Sequence, residues 1–114
     1  MIARFVQDGI AINYRPSEAV AAGDVIVLGS LVGIARLDIP ADTLGALATV
    51  GVFDIDKAAE AIAVGTPLYW DETEKKVTAT ATAVYIGKAV TAAEAADEKV
   101  NVLLNAPYVA PSGE

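Results

Sequence analysis

The sequence predicts an all-β protein, a small β-barrel or sandwich with short helical turns at most and extended terminal arms. Apolar and β-branched residues come in short runs that Gly, Pro and Asp interrupt about every 8–12 residues, which is typical of small barrels and sandwiches. Several runs also alternate polar with apolar residues. We expect strands near residues 2–6, 10–14, 25–28, 31–37, 45–54, 67–71, 76–81, 84–90 and 99–105.

The alternation assigns side chains to faces, because successive residues of a strand point to opposite sides of the sheet. The residues expected to face inward in the strands at 76–81 and 99–105 are Val77, Ala79, Ala81, Val100, Val102 and Leu104. Asn101, Leu103 and Asn105 are then expected to face outward. In the strand at 67–71, Leu68 and Trp70 share a face, so an inward Leu68 places Trp70 in the core and Tyr69 on the opposite face.

Turn chemistry predicts the connections between these strands. Residues 71–76 read as a polar hairpin loop, and Gly29-Ser30 fits a two-residue hairpin turn. Residues 16–22 and 57–64 have the composition of short helices. The first of them reads equally well as a turn that leads into a strand.

A weak internal echo links the two halves of the chain. Gly23-Asp24-Val25-Ile26-Val27 and Gly65-Thr66-Pro67-Leu68-Tyr69 each place a Gly turn before a strand, and a Gly-x-Ala triplet follows at 33–35 and at 87–89. Either a pseudo-repeat or an accident of turn chemistry accounts for it.

The length of 114 residues allows one domain, because a chain of this size buries roughly two thirds of its unfolded surface. We expect an N-terminal arm at 1–8, a β domain at 9–105 and an extended, proline-containing tail at 106–114. No apolar run approaches the roughly 20 residues that span a bilayer, and the first residues lack a signal-peptide pattern. We therefore expect a soluble, non-exported protein without a membrane partner.

The composition excludes most catalytic mechanisms. The chain has no Cys and no His, so it lacks thiol nucleophiles and the side chain most used as a general base and metal ligand. Ser17, Ser30 and Ser112 lie in neither a Ser-x-x-Lys spacing nor a nucleophile elbow. Gly87-Lys88 lacks the flanking residues of a phosphate-binding loop. We expect no enzyme activity and no cofactor.

The charge of the chain argues against nucleic acid as a partner. The net charge is -7 and the pI is near 4.4, so the protein repels the phosphates whose neutralisation supplies most nucleic-acid affinity. Carboxylates cluster at 54–56, 71–74 and 97–98 without the spacing of a calcium loop. Solvated charge explains them best, with 54–57 the better cation candidate, and we expect no metal site.

Several segments, taken in order, resemble the head decoration or capsid cement proteins of tailed phages and prophages. The matching segments are Phe5-Val6-Gln7-x-Gly9, Ala22-Gly23-Asp24-Val25-Ile26-Val27, Gly29-Ser30-Leu31-Val32-Gly33-Ile34-Ala35, Gly51-Val52-Phe53, Lys57-Ala58, Gly65-x-Pro67-Leu68-Tyr69-Trp70-Asp71, Lys75-Lys76-Val77-Thr78 and Ile86-Gly87-x-Ala89. The order of the Tyr69-Trp70-Asp71 turn and the Lys75-Lys76-Val77-Thr78 segment is the most specific part.

The resemblance implies a structural virion protein that binds the outside of an assembled phage capsid and braces neighbouring major capsid subunits. It implies the major capsid protein and further copies of the chain as partners, and synthesis in the cytoplasm of the bacterial host. A homotrimer is expected, because a closed ring hides the strand edges of a small sheet. The recombinase label sometimes given to this family does not suit an acidic sequence without a phosphate-binding loop.

The candidate contact residues with the capsid or a neighbouring subunit lie at the two ends and at outward strand positions. The arm at 1–6 is the first choice and the tail at 107–111 the second, and the aromatic residues near the ends fit either a partner anchor or the core. The full set is Ile2, Arg4, Phe5, Val6, Tyr69, Leu103, Pro107, Tyr108 and Val109. One rival class stays open, another phage structural or accessory β-domain module without catalytic activity. A nucleotide-dependent recombination enzyme would require ATP binding or DNA strand exchange, and we expect neither.

Overall fold

The computed structural model describes residues 2–81 and 84–107, which form two antiparallel β-sheets. Within these residues there is no helix, so the predicted all-β class is confirmed, but neither sheet closes into a barrel. The same part of the chain also holds no helix that is long and apolar enough to cross a membrane.

Nine strands make up the sheets. They are β1 (Ala11–Tyr14), β2 (Val25–Leu28), β3 (Leu31–Ala35), β4 (Gly45–Ala48), β5 (Val52–Asp56), β6 (Pro67–Asp71), β7 (Lys76–Thr78), β8 (Tyr85–Ala89) and β9 (Lys99–Leu104). The first sheet has the order β1-β4-β3-β2 and the second the order β5-β9-β8-β6-β7.

The two sheets have the same topology once β7 is set aside. In each, the first strand along the chain lies at one edge, and the fourth, third and second strands follow it in that order. We call β1–β4 the first repeat and β5–β9 the second repeat. The β7 hairpin is an insertion in the second repeat, at the point where the first repeat has only the two-residue turn Gly29-Ser30 between the paired Leu28 and Leu31.

Matching backbone hydrogen bonds support the equivalence of the repeats. The equivalent pairs are Val20–Ile39 with Ile62–Ala93, Gly23–Ala35 with Gly65–Ala89, and Asp24–Ala35 with Thr66–Ala89. The strand registers agree too, because Leu47 pairs with Ile12 and Ala35 just as Val102 pairs with Phe53 and Ala89. The short sequence echo at the two Gly turns therefore marks equivalent positions of a duplicated unit.

The Gly of each Gly-x-Ala triplet has a steric reason to be conserved between the repeats. A Cβ at Gly33 would lie 2.8 Å from the Leu47 Cβ, and one at Gly87 would lie 2.1 Å from the Leu103 carbonyl oxygen. Both distances are shorter than real Cβ contacts, so only Gly lets the neighbouring strand pack this closely.

The two repeats pack through different faces of their sheets. We call the face that carries Leu47 in the first sheet and Val102 in the second the front face, and the opposite side the back face. The front face of the second repeat forms the main core, around Leu68, Trp70 and Val102. The back face of the β2–β3 hairpin packs into this core through Val25, Val27, Val32 and Ile34. Full burial of one such side chain contributes roughly 1.5–3 kcal/mol.

The front face of the first repeat forms a separate, smaller cluster. Its buried members are Val20, Ala35, Ile39 and Leu47, and its half-buried members are Ile12, Tyr14, Ile26 and Leu28. The first sheet thus has apolar side chains on both faces of β2.

Asn105 links the two repeats by hydrogen bonds. Its Nδ2 donates to the carbonyl oxygens of Val32 and Thr49, each at 2.8 Å, and its Oδ1 accepts from the Val32 N–H at 3.3 Å. Its backbone has a φ of 55°, a left-handed conformation that Asn tolerates better than most residues. The expectation that Asn105 faces outward is therefore wrong, because its side chain is half-buried between the sheets.

Several other strand and helix predictions are corrected by the structure. Residues 2–6 form no strand, and the predicted strand at 45–54 is two strands in different sheets, separated by the turn at Gly51. Residues 16–22 and 57–64 are turns rather than helices, because each contains a residue that forms a β-bridge with the far side of its repeat. The strand at 76–81 ends at Thr78, which leaves Ala81 exposed.

The inward faces predicted for the second half are otherwise confirmed. Leu68 and Trp70 are buried, as are Val77, Val100, Val102 and Leu104. The polar hairpin at 71–76 is present, with Asp71 paired to Lys76, and Gly29-Ser30 is the predicted two-residue turn.

Replacing Asn105 tests the link between the repeats. Asn105→Gly keeps the left-handed backbone accessible but leaves the Val32 and Thr49 carbonyl groups without the side-chain donor, so we expect the free energy of unfolding in urea to fall by about 1–3 kcal/mol. Asp42→Gly is the matched control, because Asp42 has a φ of 58° and an exposed side chain. An Asn105→Gly loss no larger than that of the control would contradict the assignment.

Candidate functional site

The described part of the N-terminal arm, residues 2–8, carries exposed apolar side chains. Ile2, Phe5 and Val6 are 108%, 78% and 77% exposed, and Arg4 between them is exposed as well. The Gln7 Nε2 donates to the Ala11 carbonyl oxygen at 3.1 Å, which ties the base of the arm to β1. Apolar side chains held in water favour burial against a partner.

An apolar groove of about 590 Å³ begins where the arm joins the body. Its large exposed aliphatic side chains are Ile10, Leu37, Leu44 and Val50, each more than half exposed. Strand periodicity does not predict this groove, because its exposed residues come from separate connections between strands. The available signal is the presence of large aliphatic residues within four positions of the turn residues Gly9, Pro40 and Gly51.

Two of the predicted contact residues share the back face of the second repeat. Tyr69 pairs with Tyr85, and Leu103 pairs with Lys88, which places all of them on this face. The Tyr69 and Tyr85 rings meet edge to face, with centroids 5.9 Å apart and planes at 70°. The Tyr85 hydroxyl donates to the carbonyl oxygen of Ala106 at 2.6 Å.

The remaining predicted contact residues lie at the C-terminal end. Pro107 is exposed, and Tyr108 and Val109 lie outside the described residues. The structure thus places Ile2, Arg4, Phe5 and Val6 together on the arm of the first repeat, and Tyr69 and Leu103 together on a sheet face of the second.

A second cavity, of about 690 Å³, lies between the sheets and has a charged rim. The charged residues that line it are Asp24, Asp54, Asp56, Glu72, Lys75 and Lys99. The Lys99 Nζ lies 2.6 Å from the Asp56 Oδ1, and this hydrogen bond raises the pKa of Lys99. Within residues 2–81 and 84–107 no three His, Cys, Asp or Glu residues are grouped to hold a metal ion.

Glu72 caps the edge of the core at this cavity. Its Oε2 accepts a hydrogen bond from the Trp70 Nε1 at 2.8 Å and lies 3.2 Å from the Lys75 Nζ. The hydrogen bond from Trp70, followed by that from Lys75, lowers the pKa of Glu72 below its ordinary value of 4.5. The sequence predicted the inward Trp70 but not the carboxylate that satisfies its N–H.

Lys57 is a buried amine that periodicity does not predict. Its Nζ donates to the carbonyl oxygens of Glu94 at 2.8 Å and Asp97 at 3.0 Å. Both partners are backbone acceptors in one loop, so Lys57 closes that loop onto β5 and acts as a structural residue.

Three of the described surfaces carry apolar or aromatic side chains that are exposed or half-buried. The exposed apolar arm, the groove at its base and the tyrosine-containing sheet face all suit protein contacts.

The family of the chain follows from a match to a protein-family model. The model of the phage cement protein family matches residues 6–104, and the chain therefore belongs to this family. The resemblance drawn from the sequence is confirmed, and the family associates the chain with the phage capsid, which cement proteins stabilise. A search of the curated proteins gave no match, and a search of the solved structures gave none.

The Trp70–Glu72 contact predicts a pH-dependent fluorescence change. The folded-state pKa of Glu72 is lowered, so its ionised carboxylate stabilises the folded protein. This stabilisation is fully present above the unfolded-state pKa and is lost as the pH falls through the folded-state pKa. Trp70 is the one Trp of the chain, so we expect its emission to change with a midpoint below pH 4.5. Glu72→Gln should remove the transition, and Glu74→Gln in the same hairpin should leave it. A transition unaffected by Glu72→Gln would show that another group is responsible.

Proposed function

We propose that this chain binds the outer surface of an assembled phage capsid, contacts the major capsid protein and stabilises the shell. Membership of the phage cement protein family supports this proposal together with the exposed apolar arm. The protein would be made in the cytoplasm of the bacterial host and end on the outer surface of the virion. In this role it is a structural protein and not an enzyme.

The arm is the first contact in this proposal. Ile2, Phe5 and Val6 present three apolar side chains beside Arg4 on a segment that forms no strand. Extended segments reach a neighbouring protein without disturbing the core they leave, and a sheet edge or apolar groove can receive them. The tail at 107–111 is proposed as a second contact, so Pro107, Tyr108 and Val109 stay candidates.

Self-association, as a homotrimer, is the second part of the proposal. Several copies of one weak contact on a fixed lattice raise the effective affinity far above that of one contact. A closed ring also limits the number of open strand edges, such as β1 and β2 at the two edges of the first sheet. Tyr69 and Leu103 are the sheet-face residues that we assign to contacts with the capsid or a neighbouring subunit.

A triple variant of the arm tests the capsid contact. In Ile2→Ser/Phe5→Ser/Val6→Ser the apolar area that the shell would bury is removed, so we expect affinity for undecorated capsids of the encoding phage to fall at least ~10-fold, about 1.4 kcal/mol. The bound fraction is measured by pelleting capsids with increasing amounts of protein.

The control for this experiment is Val64→Ser, which removes one exposed apolar side chain from a turn of the body. It should pellet like the parent. A parent protein that does not co-sediment would favour another phage accessory β-domain module, whereas a triple variant that binds like the parent would exclude the arm as the contact.

A further inference from the structure

The front face of the first repeat is less covered than the equivalent face of the second. Ile26 pairs with Gly33 as Leu68 pairs with Gly87, which makes Ile26 and Leu68 equivalent. Leu68 is fully buried, whereas Ile26 is half-buried. The next front-face pair shows the same difference, because Trp70 is buried and its counterpart Leu28 is half-buried.

Two elements shield the front-face side chains of the second repeat, and the first repeat has neither. One is β7, which extends the sheet beside β6 and whose fully buried Val77 pairs with Trp70. The other is the back face of the β2–β3 hairpin, which packs into the same core. In the first repeat a two-residue turn replaces β7, and the described chain has no third repeat to supply the hairpin.

The back face of the second repeat is the structural counterpart of that covering hairpin. The register makes Pro67, Tyr69, Tyr85 and Lys88 equivalent to Val25, Val27, Val32 and Ile34. All four counterparts in the second repeat are half-buried. They are two tyrosines, a proline and a lysine. The tyrosine hydroxyls and the lysine amine can be hydrated, while the rings and the lysine methylene groups can be buried against a partner.

We propose that copies of the chain associate head to tail by repeating their own internal interface. In this arrangement the back face of β6 and β8 of one copy packs on the front face of the first repeat of the next copy, over Ile26 and Leu28. The occupant is therefore a second copy of this chain, and the template for the contact is the packing of the two repeats against each other within one molecule.

Such an interface joins two different surfaces. It generates a closed ring if the rotation that relates one copy to the next divides a full turn evenly, and an open filament if it does not. The proposal rests on the self-association in the proposed function, and the homotrimer proposed there gives a ring of alternating repeats. A symmetric contact of two identical front faces has no counterpart within the chain.

Complementary variants test the head-to-tail contact in solution. Ile26→Ser alters the front face of the first repeat and Tyr69→Ser the back face of the second, and Val64→Ser, on neither face, is the control. We expect sedimentation to show that each face variant alone weakens self-association at least ~10-fold, whereas the control assembles like the parent. An equal mixture of the two face variants should form one-to-one dimers, because the front variant keeps an intact back face and the back variant an intact front face.

Cross-linking gives a second measurement that stays informative if a serine variant unfolds. The chain has no cysteine of its own, so Ile26→Cys and Tyr69→Cys each carry a single thiol. A short bis-maleimide should link the two variants to each other in a mixture and should not link either to itself.

Three results would overturn the head-to-tail contact. They are a monomeric parent protein, a mixture in which the two face variants do not form dimers, and cross-links that join only copies of the same variant. No capsid is present in these experiments, so their failure is separate from a failure of the capsid pelleting.

Discussion

The fold depends on the insertion of the β2–β3 hairpin into the open front of the second sheet. Without the back-face side chains of that hairpin, such as Val32 and Ile34, the sheet would leave Leu68 and Trp70 against water. A small chain has little other apolar area with which to compensate. The Asn105 side chain fixes the position of the hairpin on the second sheet. Its amide donates to the carbonyl oxygens of Val32 and Thr49, which would otherwise lack these hydrogen bonds.

The two repeats share a topology but have different structural roles. The second repeat contains β7, which Glu60 holds in place by accepting hydrogen bonds from the Ala79 N–H and the Thr78 hydroxyl. The equivalent Glu18 in the first repeat has no such hairpin to hold and is exposed. The second repeat is thus built as the core, while the first repeat carries the arm, the apolar groove and a half-covered sheet face.

The sequence predicts the second sheet better than the first, for a physical reason. In β6 and β9 one face is buried and the other is half-exposed, so apolar and polar residues alternate and the inward side can be assigned. The run Val25-Ile26-Val27-Leu28 has apolar side chains on both faces, because one face fills the second repeat and the other its own cluster. Periodicity then predicts a strand without indicating what each face contacts. The apolar arm at 2–6 has the composition of a strand and lacks only a neighbour to pair with, so local pattern could not exclude it.

The short turn between the repeats has a thermodynamic consequence. Only Thr49, Val50 and Gly51 separate β4 from β5, so the two repeats meet as parts of one molecule. A short linker gives each repeat an effective concentration on the order of mM around the other. A pair of unlinked repeats would have to find each other at whatever concentration each one had in solution. By contrast, the fused chain carries one such contact already formed, and this contact is insensitive to dilution.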